Sequence, residues 1–303
     1  MRGVFVDANG SLADIFERQN KAGDPPVRVN RDADIAPEQM PGLLDGAEIV
    51  IIDHTSLPTD VARRCSGLKH VVFLGTGARS YMNPEELAEL GIAVHLIKGY
   101  GDTAVAEAAI ALMWAAARGI AQMDREMRAG NWLRDDGMQL TGKTLGLIGF
   151  GGIAAEVARI ALGSGMRVIA WNRSPKRHPG VEFVELDELL TESDVVSIHL
   201  LLNDETRGLV SRACIEAMKP GAILVNTARG ALVDEDAMIE ALRTGHLRHA
   251  GLDVFNVEPL PADHPLTRLP NVTLSAHSAF RTPEASENLM AAAWAHCRRI
   301  MGG

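Results

Sequence analysis

Three segments of the chain carry a polar side chain close behind an apolar, strand-like run. Arg229 stands near the end of AILVNTARG, Glu258 follows HAGLDVF in HAGLDVFNVEP, and His277 ends VTLSAH. The carboxyl ends of strands are where an open α/β sheet holds its ligands. A guanidinium can grip a carboxylate and a neighbouring carbonyl oxygen in a fork. An imidazole can give and take a proton near neutral pH, and a carboxylate beside it can orient the ring and favour its charged form. Taken singly, each has a plainer reading: a surface ion pair, a loop carboxylate before a proline, a hydrogen-bonded core histidine. Together, and given a hydride source, Arg229, Glu258 and His277 suffice to reduce the carbonyl of a 2-oxo acid.

A hydride source is indicated upstream. TLGLIGF reads as a strand, Gly149-Phe150-Gly151-Gly152-Ile153-Ala154 as a G-x-G-x-x-A turn, and EVARIALGSG as the helix that follows, with Ile153, Val157 and Ile160 on one face. In such a turn Gly149 permits the bend, Gly151 lets the backbone approach a pyrophosphate, and small Ala154 allows close helix-to-strand packing. The predicted dinucleotide site therefore includes Gly149, Gly151, Gly152 and Ile153. A second glycine pattern, GMQLTGKT from Gly137 to Thr144, fits the phosphate loop G-x-x-x-x-G-K-[ST]. Its context is wrong: a polar stretch precedes it, and a strand rather than a helix follows Lys143-Thr144.

About twenty residues past Gly149, an NAD site normally presents an Asp or Glu to the ribose hydroxyls. Here the register lands on Trp171-Asn172-Arg173-Ser174, with Lys176 and Arg177 beyond. A guanidinium and a hydroxyl suit a 2′-phosphate, which a carboxylate would repel. NADP is thus the expected cofactor, held by Asn172, Arg173 and Ser174, with NAD as the other possibility.

These residues must be positioned by alternating strands and helices, the signature of parallel sheets covered by helices. The first series has strands in GVFVDA, EIVIID, HVVFLGTG and IAVHLI. A long helix is predicted over TAVAEAAIALMWAAARGIAQMDREM. The second series has strands in TLGLIGF, RVIAW, VVSIHLL, AILVNTA, HAGLDVF and VTLSAH, and a helical tail closes the chain. The tail is expected to pack back on the first domain. This gives an α/β protein of two parallel-sheet domains: a substrate domain over 1–98 plus 286–303 and a dinucleotide-binding domain over 99–285.

Composition limits the alternatives. The 303 residues are enough for two domains, and 47% hydrophobic with 23% charged residues is an ordinary globular balance. With 30 Lys and Arg against 39 Asp and Glu, the net charge of -9 argues against nucleic acid or anionic membrane as the main partner. The longest apolar stretch, Ala108 to Ala117, falls short of the ~20 residues that span a bilayer. Asp7 interrupts the N-terminal apolar run, so export is not expected. Cys65, Cys214 and Cys297 have no metal-site spacing and read as inert buried thiols in a reducing, cytoplasmic setting, with no metal.

From about Gly75 onward the chain resembles the D-isomer-specific 2-hydroxyacid dehydrogenase family, which includes glyoxylate and hydroxypyruvate reductases, phosphoglycerate dehydrogenases and formate dehydrogenases. The resemblance runs in order through LGTGARSYMNPEELAELGIAV, GYGDTAVAEAAIALM, GKTLGLIGFGGIA, SDVVSIHLLLNDETRGLV, ILVNTARGALVDEDAM, AGLDVFNVEPLP and LSAHSAF. It implies a Rossmann domain joined to a smaller flavodoxin-like one, and reduction of a small 2-oxo acid to a D-2-hydroxy acid, with glyoxylate or hydroxypyruvate as substrate. It also implies that Arg229 binds substrate, that Glu258 and His277 form the acid/base pair, and that Asp253 contacts the nicotinamide carboxamide. Thr227 and Ala228 would lie along the cofactor, the backbone of Thr76, Gly77 and Ala78 would face the substrate carboxylate, and a homodimer is implied. A dinucleotide-sensing binding protein of the same fold is the competing expectation. Two departures stand out: no proline follows His199, and Asn172 replaces the usual ribose-binding acid.

Overall fold

Runs of Val, Ile and Leu long enough for a strand but too short for a helix give two all-parallel sheets, whose central strands are buried on both faces. The computed structural model describes residues 2–302. The first sheet contains β1 (Gly3–Phe5), β2 (Val27–Val29), β3 (Ile49–Ile52), β4 (His70–Phe73) and β5 (Ala93–Leu96), in the order β2-β1-β3-β4-β5. The second contains β6 (Thr144–Ile148), β7 (Arg167–Trp171), β8 (Val181–Phe183), β9 (Val195–Ile198), β10 (Ala222–Asn226), β11 (Leu247–Leu252) and β12 (Val272–Leu274), in the order β12-β11-β10-β9-β6-β7-β8. Strand order reverses beside β1 in the first sheet and beside β6 in the second. Such reversals open the crevices in which α/β sheets take ligands.

The chain divides into one unit of residues 1–101 and 281–303 and another of 102–280. The changeovers therefore fall at 101/102 and 280/281, where the sequence suggested 98/99 and 285/286. The first coincides with the start of the helix Asp102–Ala117, and the second lies just ahead of the C-terminal helix Pro283–Gly302.

In the first unit the C-terminal helix completes the core. Trp294 is 1% exposed, stacks on Phe16 with ring centroids 4.3 Å apart, and donates its Nε1–H to the Phe16 carbonyl at 2.8 Å. Buried Asp7, at the end of β1, accepts backbone N–H bonds from Asp53, His54 and Thr55 at 2.7–2.9 Å, which ties β1 to the loop after β3. His54 spans the same corner. Its Nδ1 meets Asp53 Oδ2 at 3.2 Å and its Nε2 donates to the Ala33 carbonyl at 2.8 Å. The bond to Asp53, with Asp7 close by, raises the imidazole to about 9 against the opposing effect of burial.

In the second unit one face of the sheet is covered by the helices Asp102–Ala117 and Gly152–Gly163, whose buried alanines Ala106, Ala109, Ala154, Ala158 and Ala161 allow close approach. The long helix expected over 103–127 is two helices, Asp102–Ala117 and Ile120–Arg128, bent by 65°. Gly119 between them has φ +60, a left-handed conformation that ends the first helix and that glycine alone adopts without strain. Among the described residues no single helix is long and apolar enough to cross a membrane. Strands β2 and β8, which periodicity did not single out, are edge strands of three half-exposed or exposed residues each. The cysteines are free. Cys65 and Cys297 are buried, and burial raises both thiols, Cys297 to about 12, whereas Cys214 is only half-buried, contrary to expectation.

Candidate active site

The glycine turn follows β6 directly. Gly149 has φ +89, and a Cβ there would come within 2.7 Å of the His199 carbonyl oxygen at the end of β9, so the sharp bend and the close strand both require glycine. Gly151 is extended at φ -113, ψ -162 and has open space where a Cβ would be. Next to it Gly152 begins a helix of 12 residues, with half-buried Ile153 behind it and Ala154 fully buried against the sheet. A backbone left open beside a helix N-terminus is a fitting cradle for a pyrophosphate. The decoy pattern at 137–144 has no such form: Lys143 is followed by β6, not by a helix.

The ribose corner departs from the simple reading. Asn172 is half-buried, and its Oδ1 accepts the Phe150 N–H at 3.1 Å while its Nδ2 donates to the Ser174 carbonyl at 2.7 Å. Lys176 Nζ donates to the Phe150 carbonyl at 2.5 Å, so the peptide groups flanking Phe150 are held from both sides. Asn172, expected at the ribose, braces the glycine turn. Arg173 is exposed and pairs with exposed Glu205, a partner that no motif in the sequence announces. Ser174 is exposed.

Arg229 is presented by a turn that a neighbouring side chain builds. Asn226, 2% exposed at the end of β10, accepts the Ala228 N–H and donates to the Arg229 carbonyl, both at 2.9 Å. Asn226 was missed at the sequence level, although an amide closing an otherwise apolar strand is a readable signal. Thr227 is buried and its Oγ1 has no hydrogen-bond partner, while Ala228 is half-buried. A buried hydroxyl without a partner in a native fold marks a place where a ligand group can complete the bonding. The exposed guanidinium of Arg229 donates from Nη1 to the Ala228 carbonyl at 2.6 Å. Gly230 lies so near the Phe255–Asn256 peptide that a Cβ would overlap it, which seats the Arg229 turn on the loop that carries Glu258.

Glu258 is fixed twice. Its Oε1 accepts the Phe255 N–H at 2.9 Å, and its Oε2 faces His277 Nδ1 at 2.6 Å. His277 itself has φ +48, an uncommon left-handed conformation for a residue with a Cβ. The turn is held by Asp253, which is 1% exposed: Oδ1 accepts from Ser275 Oγ at 2.5 Å and Ser278 N at 3.0 Å, and Oδ2 from Ala279 N at 2.9 Å. The His277 N–H adds a bond to the Asp253 carbonyl at 2.8 Å. Asp253, expected along the cofactor, has both carboxylate oxygens bonded to the turn that aims His277. With Nδ1 on the carboxylate, Nε2 is the ring nitrogen left to exchange a proton.

In the first unit, Thr76 is exposed and Gly77 half-buried in the loop after β4, and Ala78 is buried at the start of the short 3-10 turn Ala78–Ser80.

Residues 110–279 match the sequence family described as D-isomer specific 2-hydroxyacid dehydrogenase, NAD binding domain. Over 223 residues the chain is 45% identical to the glyoxylate reductase of Aeropyrum pernix, an alignment covering 67% of each chain. It is 40% identical over 247 residues to the hydroxypyruvate reductase of Thermotoga maritima, covering 80% of each. Among solved structures, the TT0316 protein of Thermus thermophilus superposes with a TM-score of 0.88 at 37% identity, covering 100% of this chain and 97% of that one.

Proposed function

The chain belongs to the D-isomer specific 2-hydroxyacid dehydrogenase family, whose NAD(P)-dependent members reduce 2-oxo acids to D-2-hydroxy acids, and from that premise we propose that its own substrate is glyoxylate or hydroxypyruvate and that NADPH is its preferred coenzyme. The observation that carries the chemistry is the 2.6 Å contact between His277 and Glu258 at the carboxyl end of the second sheet. A bound nicotinamide coenzyme would supply the hydride. Arg229 holds the substrate's carboxylate and carbonyl oxygen in its fork, which fixes the substrate and polarises the carbonyl. His277 gives its Nε2 proton to the carbonyl oxygen as negative charge develops there. Glu258 keeps the ring in the orientation this transfer needs and balances the imidazolium. In the reverse direction the neutral ring takes the hydroxyl proton back. Support for NADPH comes from the absence of a carboxylate in the ribose position and from Arg173, Lys176 and Arg177 beside it.

The test is oxidation of NADPH and NADH upon addition of a panel of 2-oxo acids. Turnover should be highest with glyoxylate or hydroxypyruvate. A folded protein that binds a dinucleotide and reduces none of the panel would point to a sensing role instead.

A homodimer belongs to the same reading. The helix Ile120–Arg128 has no buried residue, and Ile120, Met127, Trp132 and Leu133 leave large apolar groups exposed on and after it, Trp132 by 76%. Sedimentation of wild type and Trp132→Glu should give a dimer and a weakened dimer; a wild-type monomer at micromolar concentration removes the second copy.

A further inference from the structure

Asp102 opens the helix Asp102–Ala117, which packs on the helix that starts at the glycine turn. Its carboxylate is pressed against Gly152: a Cβ there would overlap Oδ2 and lie within 3.5 Å of Oδ1. Gly152 is the first residue of the helix Gly152–Gly163 and adjoins the open backbone of Gly151. An anionic side chain therefore lies at the edge of the cradle assigned to the coenzyme's pyrophosphate. Among the described residues no hydrogen bond or ion pair neutralises it, and the charged group that acts on it is another acid, Glu156, one turn further along the second helix. Glu156 is itself paired with Arg159 at 2.9 Å. Partial burial and, after it, Glu156 both raise the Asp102 carboxyl above its ordinary value.

We propose that Asp102 is a charge gate on the pyrophosphate cradle: the coenzyme binds most tightly when this carboxyl is protonated, so binding draws a proton onto Asp102 and affinity falls as the solution becomes more alkaline. The reason is electrostatic. Two negative phosphates brought beside a carboxylate at a partly dry site repel it, and the system lowers its energy by protonating the carboxyl. The sign follows. Coenzyme binding raises the Asp102 pKa, so the proton is taken up between the free and the bound values, and over that window affinity drops up to about tenfold per pH unit. The gate acts on NADH and NADPH alike, because it faces the pyrophosphate and not the 2′ position. The proposal rests on the dinucleotide reading of the glycine turn.

The experiment is calorimetric titration of wild type and Asp102→Asn with NADPH, ADP-ribose and adenosine, from pH 4.5 to 8.5, in buffers of different ionisation enthalpy. Asparagine keeps the size and polarity of the side chain and removes only the charge. Wild type should take up a fraction of a proton with NADPH and ADP-ribose and lose affinity as pH rises. Asp102→Asn should bind both on the order of tenfold tighter at pH 8, with a flat profile and no uptake. Adenosine, which carries no phosphate, should bind both proteins equally. Equal affinities, or the same proton uptake in wild type and mutant, would overturn the gate. Should Asp102→Asn fold poorly, Asp102→Ser makes the same comparison, and absence of uptake in wild type alone is already decisive. Binding of adenosine with no binding of ADP-ribose or NADPH to either protein would overturn the pyrophosphate cradle itself.

Discussion

His277 sits on a turn that the buried Asp253 carboxylate holds at three points, and its Nδ1 is taken by Glu258. A ring fixed in this way loses its function, not its place, when it is replaced. His277→Gln should lower kcat by about 10²- to 10⁴-fold, the usual worth of a positioned acid, and leave coenzyme affinity nearly unchanged. Steady-state kinetics beside a binding titration checks this, and near-wild-type turnover removes His277 from the mechanism. The same scale decides coenzyme choice. Arg173 is paired with Glu205, but both are exposed, and such pairs contribute little, so the guanidinium is free to turn to a 2′-phosphate. Charge-assisted bonds of about 1.5 to 3 kcal/mol each mean that Arg173→Ala should weaken NADPH use about tenfold to a hundredfold and leave NADH use almost untouched. A wild-type preference for NADH would reverse the assignment. Arg229, Glu258 and His277 could be singled out as candidates because each is a polar residue at or close behind the end of an apolar run. The clamp at Asp253, the brace at Asn172 and the carboxylate at Gly152 were not, because each depends on segments far apart in sequence meeting in space.

At the scale of elements, Gly149 and Gly151 have different tasks within one turn. A methyl group on Gly149 would face the His199 carbonyl at 2.7 Å on a residue with φ +89, so Gly149→Ala should cost about 2 kcal/mol or more and lower Tm by several degrees. Gly151 is extended and its surroundings are open, so Gly151→Ala should leave Tm within about a degree and weaken coenzyme binding by filling the cradle. Thermal melts beside a binding titration separate the two, and equal losses of Tm would contradict the division. Strands with continuous apolar runs were readable along the sequence. Strands β2 and β8 were not, because none of their three residues is fully buried, whereas the equally short edge strand β12 buries Val272 and Thr273 and was readable. The bend at Gly119 escaped notice because the helical periodicity on either side does not record the turn in direction that a left-handed residue imposes.

At the scale of the whole molecule, the first unit carries its own pH dependence. His54 is raised to about 9 by Asp53 and Asp7 and joins the loop after β3 to Ala33. A group whose folded pKa lies above its unfolded value of about 6.5 contributes stability that is fully present below that value and lost as pH rises through the folded one. Wild type should therefore be more stable than His54→Gln at pH 6, with the advantage gone by about pH 10. Denaturant melts of both proteins across that range check it; a constant difference would show that the imidazole charge plays no part. The C-terminal helix Pro283–Gly302 has a consequence of another kind. It supplies Trp294 to a unit whose other strands and helices precede residue 102, with the whole second unit encoded between them. On the ribosome the second unit can therefore close as soon as its last strand emerges, while the first must wait, its Phe16 face uncovered, until the helix that carries Trp294 emerges. The order of synthesis thus leaves the first unit exposed to proteases and chaperones for longer than the second.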